Sequence, residues 1–451
     1  MNSWRNDLSL LREPGVGLLF AGRTLNTLGM SFAPVALSFG ILGLPGGSAT
    51  LLSIVLAAES IPLVLFLLVG GALADRLPRQ RVIMVSQVLA AASYAGLASL
   101  IAAGVSNVYA LSAAAVLSGV GSAMGFPAFT GLIPQIVAPD RLQTGNALLS
   151  FGAAVARIAG VVAGGVVTAV IGGAGGLAVS ALMYALTAAT ATRLHPRYNT
   201  GGRETVPGLV SDMKEGWHEF VSREWLWVIV ATWSLLNMCF NAAHAVFGPV
   251  IAQERLGGAE PWSWVLAAES VGEVIAVFVA MRWRPRHPLL KPLIITMIAM
   301  PLPFTMLGLN APLWAVIIAS APMGLAFMVF DVMWTTTMQR EVPPEVLSRV
   351  SSFDAMGSFM LGPVGLLVAG PVAAHFGAPA ATLGCGVLMF LISSAALLSR
   401  DVRTLTWSPS RDSDKGTADR GGVGEPGIDG RTPQAMTYDA GRQAVEITVS
   451  A

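Results

Sequence analysis

The hydrophobic residues of this chain fall into long runs that are separated by short polar or glycine-rich intervals. Most runs have the roughly 20 apolar residues that a membrane-spanning helix needs. Six of them precede a polar interval and six follow it, so the pattern predicts twelve spanning helices. The runs lie at Val16–Leu44, Thr50–Ala74, Val82–Ala103, Val108–Ile133, Gly145–Ile171, Leu177–Thr192, Trp225–Ile251, Trp262–Met281, Leu289–Leu309, Pro312–Met338, Val350–His375 and Ala378–Leu398.

The composition supports a membrane protein. Of 451 residues, 54% are hydrophobic and 12% are charged, and the mean hydropathy is +0.66. Soluble domains carry about 25% charged residues, so this chain has too few for a water-exposed surface. The net charge is +1, and no basic patch with interleaved aromatic residues suggests a nucleic-acid partner.

The same pattern predicts four regions. Residues 1–192 form an N-terminal six-helix bundle, and residues 225–399 form a C-terminal one. The linker, 193–224, has apolar residues at helical spacing from Val206 to Val221, which predicts a helix along the membrane interface. Residues 400–451 are rich in Gly, Pro, Ser, Asp and Arg, so we expect a disordered cytoplasmic tail.

Basic residues segregate to alternate connections. Turns such as Gly104–Asn107 and Gly172–Gly176 carry no charge, whereas Asp75–Arg81, Arg282–Lys291 and Arg340–Arg349 hold many of the Lys and Arg residues. Because basic loops remain in the cytoplasm, both termini are expected there. The start, Met1 to Pro14, lacks a signal-peptide pattern, so we expect the first helix to direct insertion.

A short internal repeat relates the two bundles. Leu-Ala-Ala-Glu-Ser occurs at Leu56–Ser60 and again at Leu266–Ser270. Gln135 and Pro139, which follow the fourth run, correspond to Gln339 and Pro343 after the tenth. Two matched pairs at consistent separations predict parallel six-helix repeats with a solute site between them.

The connection after the second run carries a motif. We call four of its residues the gating motif: Gly71, Asp75, Arg76 and Arg79. Leu73 also fits the pattern, and Pro78 stands in the place of a glycine. The motif resembles the loop between helices 2 and 3 of the major facilitator superfamily, in the branch of drug, macrolide and siderophore exporters. The fifth run resembles the glycine motif of that branch, with Val161 in place of its proline. Its other positions are occupied by Ala156, in place of the first glycine, and by Gly160, Gly164 and Gly165.

This resemblance implies an all-α membrane protein with twelve transmembrane helices in two six-helix pseudo-repeats. It also implies a proton-coupled efflux antiporter of the cell (plasma) membrane, exporting a small amphipathic or cationic compound by alternating access. Asp75 would then lie against the start of helix 11, near Ser348–Ser352, and hold the outward-facing state. The simpler alternative is that the arginines of this loop only anchor the topology.

Charged residues inside the spans are candidates for function, because each costs about 2.5–3.5 kcal/mol at a helix centre. Arg282 follows Glu273 by nine residues, about 13 Å of helix, which places Glu273 near the midplane. Glu269 lies one turn away on the same face, and two such carboxylates do not both ionise easily. The candidates for proton coupling are Glu269, Glu273, Asp331 and Glu59.

Other polar residues are candidates for the solute cavity. Two arginines are expected to balance the carboxylates, and a polar stripe on helix 7 faces the cavity with an asparagine of helix 1. The candidates are Arg23, Asn26, Arg157, Asn237, Asn241, His244 and Trp334. The alternatives are fixed ion pairs for Arg157 and Asp354, a hydrogen-bonded packing role for His244, and a core position for Trp334.

The sequence predicts no enzyme. It contains no nucleophile–base pair, metal cluster or phosphate-binding loop, and Cys239 and Cys385 fit small core residues. We therefore expect no cofactor and no metal, and a monomer whose partners are a small-molecule substrate, protons and the lipid bilayer. Two alternatives stay open: an uptake carrier on the same fold, and a membrane scaffold or sensor in which the tail is the working part.

Overall fold

A computed structural model describes residues 9–13, 15–138, 141–195, 217–283 and 285–406. Within these ranges it leaves undescribed the side chains of 67–76, 126, 127, 130, 131, 134, 143, 344, 345, 348 and 349. The described part is helical and contains no strand.

The first half of the chain contains six long helices. They are α1 (Val16–Leu42), α2 (Ala49–Arg76), α3 (Arg79–Ala102), α4 (Val108–Ile136), and the segment Leu142–Thr192, which we divide at Gly172 into α5 (142–171) and α6 (173–192).

Gly172 separates α5 from α6. A straight helix of 51 residues would extend about 75 Å, more than twice the hydrocarbon thickness of a bilayer. Gly172 has φ 75° and ψ 169°, a conformation that is open to glycine and strained for other residues. The sequence predicted a longer turn, Gly172–Gly176, but helix resumes directly after Gly172 because this single residue reverses the chain.

The second half also contains six spanning helices. They are α7 (Glu224–Leu256), α8 (Ala259–Arg282), α9 (Leu290–Gly308), α10 (Leu313–Glu341), α11 (Pro344–Phe359 and Gly362–Phe376) and α12 (Ala378–Ala396). Eleven helices of the described residues are long and apolar enough to cross a membrane, and one of them contains both α5 and α6. The twelve predicted spans are therefore present.

Prolines explain where the second half departs from the predicted boundaries. α11 begins at Pro344, six residues before the predicted Val350, because proline is well suited to the first turn of a helix. α9 is interrupted at Met300 and Pro301, since Pro301 has no N–H to donate to the preceding turn.

The two ends of the bundle differ in charge. We call the end with the connections 77–78, 137–141, 283–289 and 342–343 the basic face, because Arg141, Arg286 and Arg340 lie in or beside them. The other end, the opposite face, carries the connections 43–48, 103–107, 309–312 and 377.

The repeated Leu-Ala-Ala-Glu-Ser segments make equivalent contacts in the two halves. A Cβ atom on Gly119 of α4 would lie 2.0 Å from the carbonyl oxygen of Glu59 on α2. A Cβ atom on Gly324 of α10 would lie 2.0 Å from the carbonyl oxygen of Glu269 on α8. Each repeated glutamate therefore marks a close approach of two backbones that only glycine permits, as small residues do in membrane helices.

The two halves meet near the opposite face through a second pair of equivalent contacts. A Cβ on Gly165 of α5 would lie 2.2 Å from the side chain of Ser263 on α8. A Cβ on Gly370 of α11 would lie 2.4 Å from Oγ of Ser53 on α2. Small residues on both sides let the halves pack closely at this end.

The linker and the tail are largely outside the described residues. Only 217–222 of the predicted interfacial helix are described, and they are helical. Trp217 and Phe220 pack against Phe353 of α11, with ring centroids 5.5 and 6.2 Å from it. After the short helix Arg400–Thr404, the residues of the predicted disordered tail from 407 onward lie outside the described part.

We predict that Gly324→Ala destabilises the protein by about 1–3 kcal/mol, because the added methyl group collides with the backbone of α8. The measurement is thermal unfolding of the purified protein in detergent. Gly384→Ala on α12 is the matched control, since a Cβ there meets nothing within 4 Å, and it should leave the melting temperature unchanged or slightly raised. Equal effects of the two substitutions would contradict the packing described here.

Candidate functional site

An ion pair joins the two halves within the membrane-spanning region. Nη1 of Arg157 on α5 contacts Oε2 of Glu273 on α8, and the two side chains are 46% and 16% exposed. α5 and α8 pack antiparallel, and Gly165 contacts Ser263. Arg157 and Glu273 each lie about 12–15 Å from that contact along their own helix, toward the basic face, so they are at the same height. This contact therefore connects the two halves through charged side chains.

A second pair lies one turn away on α8. Nε2 of His244 on α7 is 3.0 Å from Oε2 of Glu269, whose side chain is 15% exposed. The imidazole stacks on Phe240, with centroids 4.6 Å apart, and lies 6.0 Å from the ring of Trp262. These rings fix the position of the imidazole beside the carboxylate.

The backbone of α7 is irregular around this histidine. Residues Asn241–Phe247 and Ala252–Leu256 adopt the wider π-helical geometry. Pro249 lies between the two segments and cannot donate to the carbonyl of Ala245, which favours the shift to the i→i+5 register. The widened turn places His244 toward α8.

The four residues Arg157, His244, Glu269 and Glu273, which we call the charged cluster, do not balance their charges. With a neutral histidine, one arginine and two carboxylates carry a formal charge of −1. Glu273 lies within electrostatic reach of the other three residues. An uncompensated charge in the membrane interior is costly.

Glu59 occupies a different environment in the first half. Its Oε1 accepts hydrogen bonds from the Tyr94 hydroxyl and from Oγ of Ser118, each at 2.8 Å. Tyr184 stacks on Tyr94 with centroids 5.3 Å apart. The repeat therefore gives Glu59 neutral hydroxyl partners where its counterpart Glu269 has a histidine.

A third polar group lies nearer the basic face, between α7, α10 and α11. Oδ2 of Asp354 accepts from Nε1 of Trp334 at 3.2 Å. Asn237 donates to the carbonyl of Ser358 at 3.0 Å, and Asn241 donates to the carbonyl of Asn237 at 2.8 Å. This group contains three of the predicted cavity residues.

The structure separates the remaining candidates from the charged cluster. The guanidinium of Arg23 lies 5.4 Å from the ring centroid of Phe129, in the same half. Asn26 is buried and donates to Sδ of Met30 at 3.4 Å, one turn away on its own helix. Trp334 is 4% exposed and packs with Trp225 and Phe330 in a hydrophobic core. Asp331 is exposed and lies within electrostatic reach of Asp354.

The gating motif is only partly described. Gly71, Asp75 and Arg76 belong to the last turns of α2, but their side chains lie outside the described part, as do those of Ser348 and Arg349 at the predicted contact. Arg79 begins α3 and is half-buried. Among the described residues, no group of three or more His, Cys, Asp or Glu side chains has the arrangement of a metal site.

Sequence reasoning missed the partners of the buried acids. Tyr94, Ser118 and Tyr184 lie on three helices with no shared spacing, so no local pattern connects them to Glu59. Phe240 could have been found, because it lies one turn before His244 on the stripe that the sequence analysis identified.

The family follows from a direct match. Residues 19–362 match the sequence model of the Major Facilitator Superfamily, which is most of the spanning region. This chain belongs to that superfamily, a class of membrane transporters, and it is therefore a multi-pass transporter and not an enzyme.

Similar characterised proteins include multidrug efflux pumps. The chain is 28% identical over 413 residues to the multidrug efflux pump Tap of Mycolicibacterium fortuitum, covering 87% of this chain and 97% of that protein. It is 25% identical over 384 residues to the protein of the same name from Mycobacterium tuberculosis (strain ATCC 25618 / H37Rv), covering 82% and 90%.

Solved structures show the same fold at low sequence identity. The nucleoside transporter NupG superposes with a TM-score of 0.68 at 14% identity, covering 86% of this chain and 98% of that one. A POT family transporter in complex with a thioalcohol-conjugated peptide gives 0.67 at 11%, covering 85% and 95%. These likenesses establish the architecture of the chain.

We predict energetic coupling between Arg157 and Glu273. Arg157→Gln and Glu273→Gln should each lower the melting temperature in detergent, because each leaves its partner uncompensated between the halves. The double variant should lose less than the sum, with a coupling energy of about 0.5–3 kcal/mol. Arg255→Gln combined with Glu273→Gln is the control and should be additive. A coupling energy near zero for Arg157 and Glu273 would contradict an ion pair that holds the halves together.

Proposed function

We propose that this transporter exports a small amphipathic or cationic compound in exchange for protons, by alternating access. The observation that carries the proposal is the Arg157–Glu273 contact, which links the two halves inside a cluster whose formal charge is −1 when His244 is neutral. A proton or a cationic solute would each neutralise that cluster, so the two compete for the same carboxylates.

The exchange follows from this competition. While Glu273 is ionised and paired with Arg157, α5 and α8 stay together. When Glu273 takes a proton, the carboxyl is neutral and its attraction to Arg157 weakens, so α5 and α8 can move apart. Glu269 supplies a second acceptor one turn away, and His244 is placed to pass a proton to it at 3.0 Å. A cationic solute bound to the ionised carboxylates would displace protons in the other direction.

The direction of transport is part of the proposal. The similarity to multidrug efflux pumps at 25–28% identity supports export. Basic residues at the connections of the basic face support a cytoplasmic location for that face and for both termini, in the cell membrane. Amphipathic cations suit a net negative cluster that has the rings of Phe240 and Trp262 beside it.

We also propose that Asp75 holds the halves together at the basic face when the transporter faces outward. We expect Asp75→Asn to insert normally and to lose most of its transport, because the change keeps Arg76 and Arg79 as topology anchors and removes only the carboxylate. Surface labelling and transport assays measure the two properties separately. Normal transport by Asp75→Asn would assign the loop to topology alone.

We predict that Glu273→Gln lowers proton-driven transport by roughly tenfold or more, because the variant cannot release a proton at the contact between the halves. The assay uses ethidium, an amphipathic cation, in inside-out membrane vesicles with an imposed acidic interior. Wild-type vesicles should accumulate ethidium, and nigericin, which collapses the pH gradient, should abolish the accumulation.

The matched control is Glu260→Gln, in the exposed first turn of the same helix, which should transport like the wild type. Unchanged transport by Glu273→Gln at equal expression would remove this carboxylate from the mechanism. Gradient-driven accumulation only in right-side-out vesicles with an acidic exterior would identify an uptake carrier instead.

A further inference from the structure

A cavity of about 600 Å³ opens on the outer surface of the second half, away from the contact between the halves. Its walls come from α8, α9 and α10, and its floor includes residues of the small hydrophobic core between α8 and α10. The lining residues are Ile275, Phe278, Val279, Arg282, Trp283, Ile295, Leu325 and Val329.

The cavity is apolar along its length and cationic at one end. From Ile275 to Arg282 it follows α8 for about 10 Å. Phe278 is 66% exposed and Ile275 is 46% exposed, so the apolar part faces the hydrocarbon of the membrane. Arg282 ends α8 at the basic face, and Trp283 follows it at the level where aromatic residues meet lipid headgroups.

The charge at this end is concentrated. Residues 282–291 contain three arginines and one lysine and no acidic residue. Within the part of the chain that the structure describes, Arg282 makes no ion pair. It is the one charged residue that lines the cavity, so a ligand seated there meets a cation at the interface and hydrocarbon beneath it.

We propose that this cavity binds an anionic phospholipid. The acyl chain lies along Ile275 and Val279 between α8 and α10, and the phosphate contacts the guanidinium of Arg282. Basic residues at the interfacial end of a groove between helices are the recognised chemistry of such sites.

The charge of the lining decides between possible occupants. A cationic amphipathic compound entering from the membrane would meet Arg282 at the mouth and be repelled. A zwitterionic lipid carries an ammonium group that offsets its phosphate, so its attraction to the basic cluster is weaker. An anionic lipid satisfies both ends of the cavity.

Native mass spectrometry of the full-length protein, titrated separately with dioleoyl phosphatidylglycerol and dioleoyl phosphatidylcholine, tests the headgroup contact. Arg282→Gln should weaken binding of phosphatidylglycerol roughly fivefold, the effect of removing one basic side chain near a lipid surface. Arg286→Gln is the matched control, since Arg286 is exposed in the same connection and does not line the cavity. Equal weakening by both variants would indicate a diffuse charge effect and overturn the site.

A second pair of variants tests the acyl-chain contact. Ile275→Trp fills the cavity and should remove the most tightly bound phosphatidylglycerol. Val277→Trp, on the same helix at 45% exposure and outside the cavity, should not. Retention of that lipid by Ile275→Trp would contradict the proposal, as would equal binding of phosphatidylcholine. Displacement of the lipid by inorganic phosphate would indicate a headgroup site without the acyl contact, and displacement by ethidium would assign the cavity to the solute; either result would overturn it.

Discussion

The contact of Arg157 on one bundle with Glu273 on the other is the interaction on which the proposed mechanism depends. Neither residue has an equivalent partner in its own half among the described side chains. Moving the bundles apart leaves each of these two charges without its partner. The proposed mechanism rests on this link between the position of the halves and the charge state of Glu273, because a carrier driven by an ion gradient requires such a link.

The internal repeat gives the two halves the same backbone contacts but different side-chain partners. Gly119 against Glu59 and Gly324 against Glu269 make the same close contact between the second and fourth helix of each half. The side chains of the two glutamates nevertheless face different partners, hydroxyl groups in one half and an imidazole in the other. A neutral hydroxyl network suits a carboxyl that stays in one protonation state, whereas an imidazole can itself take up a proton. The working asymmetry of the carrier thus arises from substitutions on a symmetric framework.

Much of this could be read from the sequence, for identifiable reasons. Hydrocarbon thickness sets the length of a spanning run, so the twelve helices were predictable. The family was predictable from the residues of the gating motif, and the repeat from its matched segments. The pairing of the charged side chains could not be predicted from the sequence, because it depends on which helices face each other. Arg157 was compatible with a fixed structural pair or a cavity role, and the partners of Glu59 lie 35 and 59 residues away. The single-residue turn at Gly172 was missed because residues 172–176 are all small, so the sequence does not indicate at which of them the chain reverses direction.

The two interfaces between the halves are equivalent in position and unequal in strength. Gly165 with Ser263 and Gly370 with Ser53 close the opposite face in the same manner. The α5–α8 interface continues toward the basic face with the Arg157–Glu273 ion pair. The repeat places Leu63 and Gly362, which are uncharged, at the corresponding positions of the α2–α11 interface. Contacts between small apolar surfaces respond little to protonation, whereas a charged contact responds strongly. On the proposed mechanism, a proton at Glu273 would weaken the charged contact between α5 and α8 and leave the Gly370–Ser53 contact unchanged, so the halves would rotate about that contact rather than separate.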